Sequence, residues 1–341
     1  MPGASLPALS CALPPSRDLP VYAKVAEELG YHRLWVYDSP ALYGDLWLAL
    51  GRAAEATSRL GLASGVAVPS LRHVMVTASA IAAVEELAPG RLVAAFGTGF
   101  TARQAMGQPP MRWADLVHYV VQLRALLRGE VVDVVGASCQ MLHSPGFGPA
   151  RPIEIPLLLA PVGPKGFAAA RQVADGVVLV TEPSVALEKR WDICAQLVTG
   201  IVLDAGEGAS SHRVRSSLGP AFVTGYHAVW QWGNGAVDEM AGGAAWRTAL
   251  EGERPDGERH LAVHEGHLVE VTARDRPLLD AGGDAILQVG WTGDISAFQE
   301  RLGRAGAAGI TEAIVTPAGP DIPAELLAFA RAAQAEADPR G

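Results

Sequence analysis

A chain of 341 residues that is 49% hydrophobic and 18% charged carries enough apolar surface for one large core or two ordinary ones, which excludes intrinsic disorder. Its 27 Lys and Arg against 36 Asp and Glu leave a net charge of -9. The basic residues are scattered, so there is no electrostatic footprint for a nucleic-acid backbone.

Cys11, Cys139 and Cys194 lie far apart with no CxxC spacing, which argues against a disulfide framework or zinc ribbon and for a reducing, cytoplasmic setting. The apolar start up to Ser16 lacks the basic flank of a secretory signal and is broken by Pro2, Pro7, Pro14 and Pro15. No stretch approaches the ~18 uninterrupted apolar residues of a membrane helix.

In chain order, residues 8–13 predict a strand. Residues 17–30 predict a helix, with Val21, Val25, Ala26 and Leu29 on one face and Gly30 as its stop. The alternation continues with a strand at 33–37, a helix at 46–58, a strand at 60–68, a helix at 73–87, a strand at 91–96 and a helix at 114–127. Residues 131–142 read as an extended excursion leading into a Pro/Gly-rich stretch. The alternation resumes with a fifth barrel strand at 155–160, a helix at 166–174, a sixth strand at 177–181 and a helix at 185–204. A seventh strand is predicted at 213–224 with an irregularity at Pro220, an eighth at 311–316 and a closing helix at 322–337.

Strands alternating with helices require a parallel sheet, and eight of them predict a single (β/α)₈ TIM barrel spanning 1–341. An open doubly wound sheet is disfavoured because no GxGxxG follows the first strand. The surplus length sits between strands seven and eight, as an insertion at about 226–300. It holds Trp230, Trp232, Trp246 and Trp291, half of the eight tryptophans, and reads as a lid or pocket wall.

Barrel chemistry sits where strands end. Strand two ends in Asp38-Ser39, and strand three has the small-residue run Ser64-Gly65-Val66-Ala67. Strand four ends in Gly97-Thr98-Gly99, and strand five runs through Val162-Gly163-Pro164-Lys165 into a helix. A glycine turn opening a helix offers backbone N–H groups to a phosphate, and Lys165 adds a cation. In a helix, His260, His264 and His267 would share one face. Gly266 weakens that helix and spacing fixes no carboxylate partner, so packing is the expected role and no metal is expected.

The segments ELGYHRLWVYDS, GLASGVAVP, LAPGRLVAAFGTG and PLLLAPVGPKGFAAARQVADGVVL together resemble the luciferase-like monooxygenase superfamily. The likeness is to its deazaflavin-dependent branch, similar to methylene-tetrahydromethanopterin reductase. The resemblance implies Asp38 beside the cofactor ring, Gly65-Val66 as a bulged third strand with a non-proline cis peptide behind it, and Gly97, Thr98, Gly99, Val162 and Gly163 holding the phosphate. It further implies coenzyme F420, with FMN as the alternative, and a homodimer.

Two departures bear on chemistry. Ser39 stands where many relatives have a catalytic His, and Phe100 where dehydrogenase relatives have a Glu. Without that pair the usual acid/base scheme is weakened, and Tyr43, His73 and Asp45 are the remaining candidates for a proton donor. Ser39, Phe100, Tyr226 and Trp230 are the expected walls of an apolar substrate pocket. The reading is therefore hydride transfer between the deazaflavin and a bulky apolar organic substrate. The alternatives are an FMN-dependent monooxygenase fed by a partner flavin reductase, and a flavin-binding barrel without turnover.

Overall fold

In the computed structural model, which describes residues 6–182, 191–233 and 235–335, the first hundred residues fold as the alternation predicts. β1 (Ala8–Leu13), α1 (Leu19–Glu28), β2 (Arg33–Val36), α2 (Leu46–Ala56), β3 (Gly61–Ala67), α3 (Val74–Leu87) and β4 (Leu92–Phe96) follow in turn. A short α4 (Phe100–Gln104) precedes α5 (Trp113–Leu127), and the excursion is a hairpin of β5 (Val132–Val134) and β6 (Ala137–Cys139). Then come β7 (Leu157–Leu159), α6 (Gly163–Val173), β8 (Gly176–Leu179) and β9 (Ile193–Val198). The strand order β1-β10-β9-β8-β7-β4-β3-β2 closes a barrel of parallel strands, with β10 at Glu312–Val315.

The seventh barrel strand is β9, and residues 213–224 lie inside α7 (His212–Trp232). Val214, Ser217 and Leu218, and again Val223, Tyr226 and His227, are buried at the i, i+3, i+4 spacing of a helix, and the Ser211 side chain accepts from the Val214 N–H at 3.4 Å as the N-cap. Pro220 sits within the helix. The expected helix at 185–204 falls partly outside the described residues. Its latter part is β9, where Ala195 packs in the barrel interior and Cys194 and Val198 pack under the helices. A short run buried on both faces does not reveal its period.

Between β9 and α11 (Ile295–Ala307) lies a helical segment that begins directly after β9, earlier than 226. It contains α7, α8 (Gly243–Glu253), α9 (Arg259–Val263) and α10 (Arg276–Gly282). It has its own apolar core, built around Val214, Leu218, Tyr226, Trp246 and Leu278. Asp294 caps α11 by accepting from the Ala297 N–H at 2.9 Å, and α12 (Ile322–Gln334) closes the outer ring.

Inside the barrel, Trp35 fills the centre against Ala12, Ala63, Ala95 and Ala160. A Cβ on Gly65 would stand 3.0 Å from the Cβ of Trp35, so large and small residues interlock across the strands. Trp35 Nε1 donates to Glu312 Oε1 at 2.6 Å, and Arg33 pairs with the other oxygen of that carboxylate. Among the described residues no helix is long and apolar enough to cross a membrane.

Candidate functional site

The C-terminal ends of the strands form a mouth whose two sides differ in chemistry. On one side, β3 carries a bulge: Ser64 pairs with Ala94 and Ala67 with Phe96, and the Gly65–Val66 peptide is cis. The Ser64 hydroxyl fills the gap in the ladder, donating to the Ala95 carbonyl at 2.8 Å and accepting from the Ala95 N–H at 2.8 Å. Asp38, 4% exposed, fixes this bulge from the end of β2. Its Oδ2 accepts from the Val68 N–H at 2.9 Å and from Arg72 at 2.8 Å. Arg72 also donates to Asp45 at 2.8 Å. Burial alone would lower the Arg72 pKa, and the two carboxylates raise it above the ordinary value. Arg72 is a residue that sequence reasoning misses, because the cation that the buried Asp38 carboxylate pairs with comes from the connection between β3 and α3.

Beside the bulge, a Cβ on Gly97 would come within 2.7 Å of Val66 Cγ2, so only glycine lets the β4 end close onto β3. Gly99, at φ +80°, turns the chain into α4. β7 neighbours β4, with Phe96 opposite Leu159, and this brings Val162 and Gly163 to the same rim. Gly163 has φ +63° at the start of α6, and a Cβ there would meet nothing within 4 Å. Pro164 sits in the first helical turn and Lys165 is exposed. The first N–H groups of a helix have no partner within it, so the start of α6 offers backbone N–H groups beside the exposed Lys165.

The helical insertion reaches over the mouth at three points. Tyr43 donates its hydroxyl to the His267 carbonyl. His260 packs on Gly107, where a Cβ would stand 3.1 Å from the ring. Trp232, 60% exposed, meets Phe100, 40% exposed, edge to face with centroids 4.7 Å apart. On the side opposite the β4–β7 rim is a narrow recess lined by Pro14, Tyr37, Leu218, Leu268, Thr316 and Pro317, among others.

The three proton-donor candidates are each engaged elsewhere. The Tyr43 hydroxyl is committed to its hydrogen bond with the His267 carbonyl, and burial pushes its pKa well up. His73 is the exposed N-cap of α3, its Nδ1 accepting from the Met75 N–H at 3.2 Å. Asp45 caps α2 through the Leu48 N–H at 2.9 Å. Burial works to raise the Asp45 pKa, but the Arg72 and Leu48 hydrogen bonds hold it below the usual range.

Of the expected pocket walls, Ser39 is buried beside Asp38, and Phe100 stands on the rim. Tyr226 and Trp230 lie in the insertion's own core. The Tyr226 hydroxyl donates to Ala241 O at 2.9 Å, and the Trp230 indole donates to Glu251 at 3.3 Å. Both are on the α7 face that packs against α8, because the helix there replaces the expected strand. Trp232, two residues beyond Trp230, points to the rim instead.

His264 and His267 are packed ring to ring at 5.5 Å, with His227 6.4 Å from His267. His227 stacks on Trp246, whose indole donates to the fully buried Asp275 at 2.7 Å. Among the described residues, no three His, Cys, Asp or Glu side chains converge as metal ligands do. Burial, then the neighbouring histidines, lower the His264 pKa to about 4 and that of His267 to about 3. An unfolded histidine titrates near ~6.5, so below that pH the unfolded chain binds protons that the folded insertion refuses. Stability therefore falls as pH drops from about 6.5 towards 4 and below. Amide-exchange protection factors for residues 212–282 are expected to be lower at pH 5 than at pH 7, with those of β1–β4 little changed. Equal loss in both regions would contradict this.

A family model described as luciferase-like monooxygenase matches residues 3–198. The chain is 30% identical over 168 residues to a 5,10-methylenetetrahydromethanopterin reductase of Methanolobus tindarius, covering 46% of this chain and 48% of that one. It is 32% identical over 180 residues to an F420-dependent glucose-6-phosphate dehydrogenase of Beutenbergia cavernae, covering 48% and 52%. These alignments span about half the length of the curated relatives. The coenzyme F420-dependent tetrahydromethanopterin reductase of Methanopyrus kandleri superposes with a TM-score of 0.64 at 17% identity, over 96% of this chain and 98% of that one. The matched region ends with β9 and contains the bulged β3, the Asp38 clamp and the β4–β7 rim, and the chain belongs to the luciferase-like monooxygenase family.

Proposed function

We propose that this chain is an oxidoreductase that uses coenzyme F420 to transfer hydride to or from a bulky apolar organic molecule. The observation that carries the reading is the β4–β7 rim: an open glycine turn at a helix start, beside a bulge clamped by a buried carboxylate. Its support is the likeness to relatives named for coenzyme F420. Gly97, Thr98, Gly99, Val162 and Gly163 would hold the coenzyme phosphate through backbone N–H groups, with Lys165 adding charge. Gly65 and Val66 would lie behind the ring, and Asp38 beside it. When bound, the deazaflavin supplies two-electron hydride chemistry. The chain's own work is to orient the partner molecule and exclude water. The half-exposed Phe100 and Trp232 offer that molecule an apolar edge. A homodimer in the cytoplasm completes the proposal, and its three free cysteines suit a reducing compartment.

Without oxygen, the protein is expected to speed oxidation of reduced coenzyme F420 by members of a panel of apolar ketones and quinones. Oxygen uptake with reduced FMN supplied by a flavin reductase, and no reaction with the deazaflavin, would instead assign the monooxygenase chemistry. Intact coenzyme affinity with no turnover across the panel would assign a binding protein.

A further inference from the structure

Three histidines join the buried core of the insertion to the barrel mouth. His227 on α7, and His264 and His267 in the turn after α9, are 2%, 2% and 8% exposed. Their ring centroids are 5.5 Å apart from His264 to His267 and 6.4 Å apart from His267 to His227. The Nδ1 atoms of His264 and His267 have no hydrogen-bond partner, and Gln231 Nε2 donates to His264 Nε2 at 2.7 Å. That ring nitrogen accepts, as a neutral imidazole does. The backbone of the same turn carries the tie to the barrel, since the His267 carbonyl accepts from Tyr43 in the loop after β2.

Counter-charge for the cluster is scarce. Asp275 Oδ2 lies 3.4 Å from His227 Nε2, but this carboxylate already accepts from Trp246 and from Arg274, which is itself shared with Glu253. Glu265 and Glu270, beside the histidines in sequence, are exposed, and Glu251 on α8 pairs with Arg247. His260 adds another imidazole, and burial keeps the Tyr43 phenol neutral. Among the described residues no carboxylate pairs with His264 or His267. One positive charge can be balanced here, at His227 beside Asp275, whereas further charge on His264 or His267 would be buried without a partner.

We infer that His227, His264 and His267 form a proton-operated latch: when neutral they seat the turn that holds the insertion on the barrel mouth, and when charged they release it. Release breaks the contact between Tyr43 and His267 and parts Trp232 from Phe100, which uncovers the mouth between α4 and α7. The sign follows from burial, which holds His264 and His267 below the ordinary histidine range while the turn is seated. Freed imidazoles take protons near ~6.5. The seated state is therefore favoured above that pH and is expected to lose about ten-fold in population ratio for each of these two histidines by pH 5. The device belongs to the chain itself and holds whichever coenzyme the barrel takes.

The test uses the full-length protein labelled with 5-fluorotryptophan and followed by fluorine-19 NMR from pH 7.5 to 4.5, with each resonance assigned by replacing one tryptophan at a time. Trp246, stacked on His227, reads the cluster; Trp232 reads the contact with Phe100; Trp35 reads the barrel centre. Trp246 and Trp232 are expected to shift together, with one midpoint below ~6.5, while Trp35 stays in place. In the double variant His264→Gln, His267→Gln the shared midpoint is lost from this range. In Tyr43→Phe, which keeps the histidines and removes the tie, the midpoint moves to higher pH. A Trp232 signal that does not shift, separate midpoints for Trp232 and Trp246, or an unchanged midpoint in either variant overturns the inference. So does a shift of Trp35 in step with the others, which is acid unfolding of the whole chain.

Discussion

Gly163→Asp is expected to weaken coenzyme F420 binding at least 100-fold while leaving the chain folded. The position is unusual in permitting so clean a test. A Cβ there meets nothing within 4 Å, so the new side chain enters open space. Its φ of +63° costs an L-residue about 1 kcal/mol, and least for Asp or Asn. What the substitution adds is a carboxylate where the phosphate would sit. Two like charges ~4 Å apart near a protein surface repel by about 4 kcal/mol at an effective dielectric of 20. Gly163→Asn has the same shape, the same backbone cost and no charge, so it is expected to retain affinity within about ten-fold, allowing ~1 kcal/mol for lost fit. Fluorescence titration of each variant, with thermal unfolding as a check on the fold, separates the cases. Equal affinity for Asp and Asn would remove the phosphate from this rim.

Glu312→Ala is expected to cost about 3–5 kcal/mol of stability, the range for leaving a buried charge without its partner. Glu312 accepts from both Arg33 and Trp35 inside the barrel, and the Arg33 and Glu312 side chains are 10% and 3% exposed. Arg33 Nε has no hydrogen-bond partner, so its charge depends on that one carboxylate. The double variant Arg33→Met, Glu312→Leu replaces the pair with apolar groups and is expected to recover most of the loss. Urea denaturation midpoints of the single and double variants test this. A double variant no better than Glu312→Ala would show that the carboxylate acts through Trp35 alone.

Much of the barrel was legible because its strands are short apolar runs separated by amphipathic helices with readable stops, as from Ala8 to Phe96. The rim was legible for a related reason: Gly97, Gly99 and Gly163 stand at strand ends, where a missing side chain points to a tight turn or a close approach to the backbone. The seventh strand was not legible. Residues 193–198 are buried on both faces and carry no period, whereas Val214 to His227 mixes β-branched residues with a proline and hides its helical spacing. That single exchange displaced the expected pocket. Tyr226 and Trp230, assigned to the mouth after a supposed strand, turn into the insertion core, while Trp232 reaches Phe100.

Long-range partnerships were the other gap. Arg72 binds Asp38 from a loop that spacing alone does not connect to β2.

The coenzyme assignment is tested most directly by equilibrium titration of the full-length protein with coenzyme F420 and, separately, with FMN, each followed by fluorescence quenching. The account predicts saturable binding of the deazaflavin, tighter than FMN by at least ten-fold, or about 1.4 kcal/mol. Tight FMN binding with no saturable response to coenzyme F420 would contradict it.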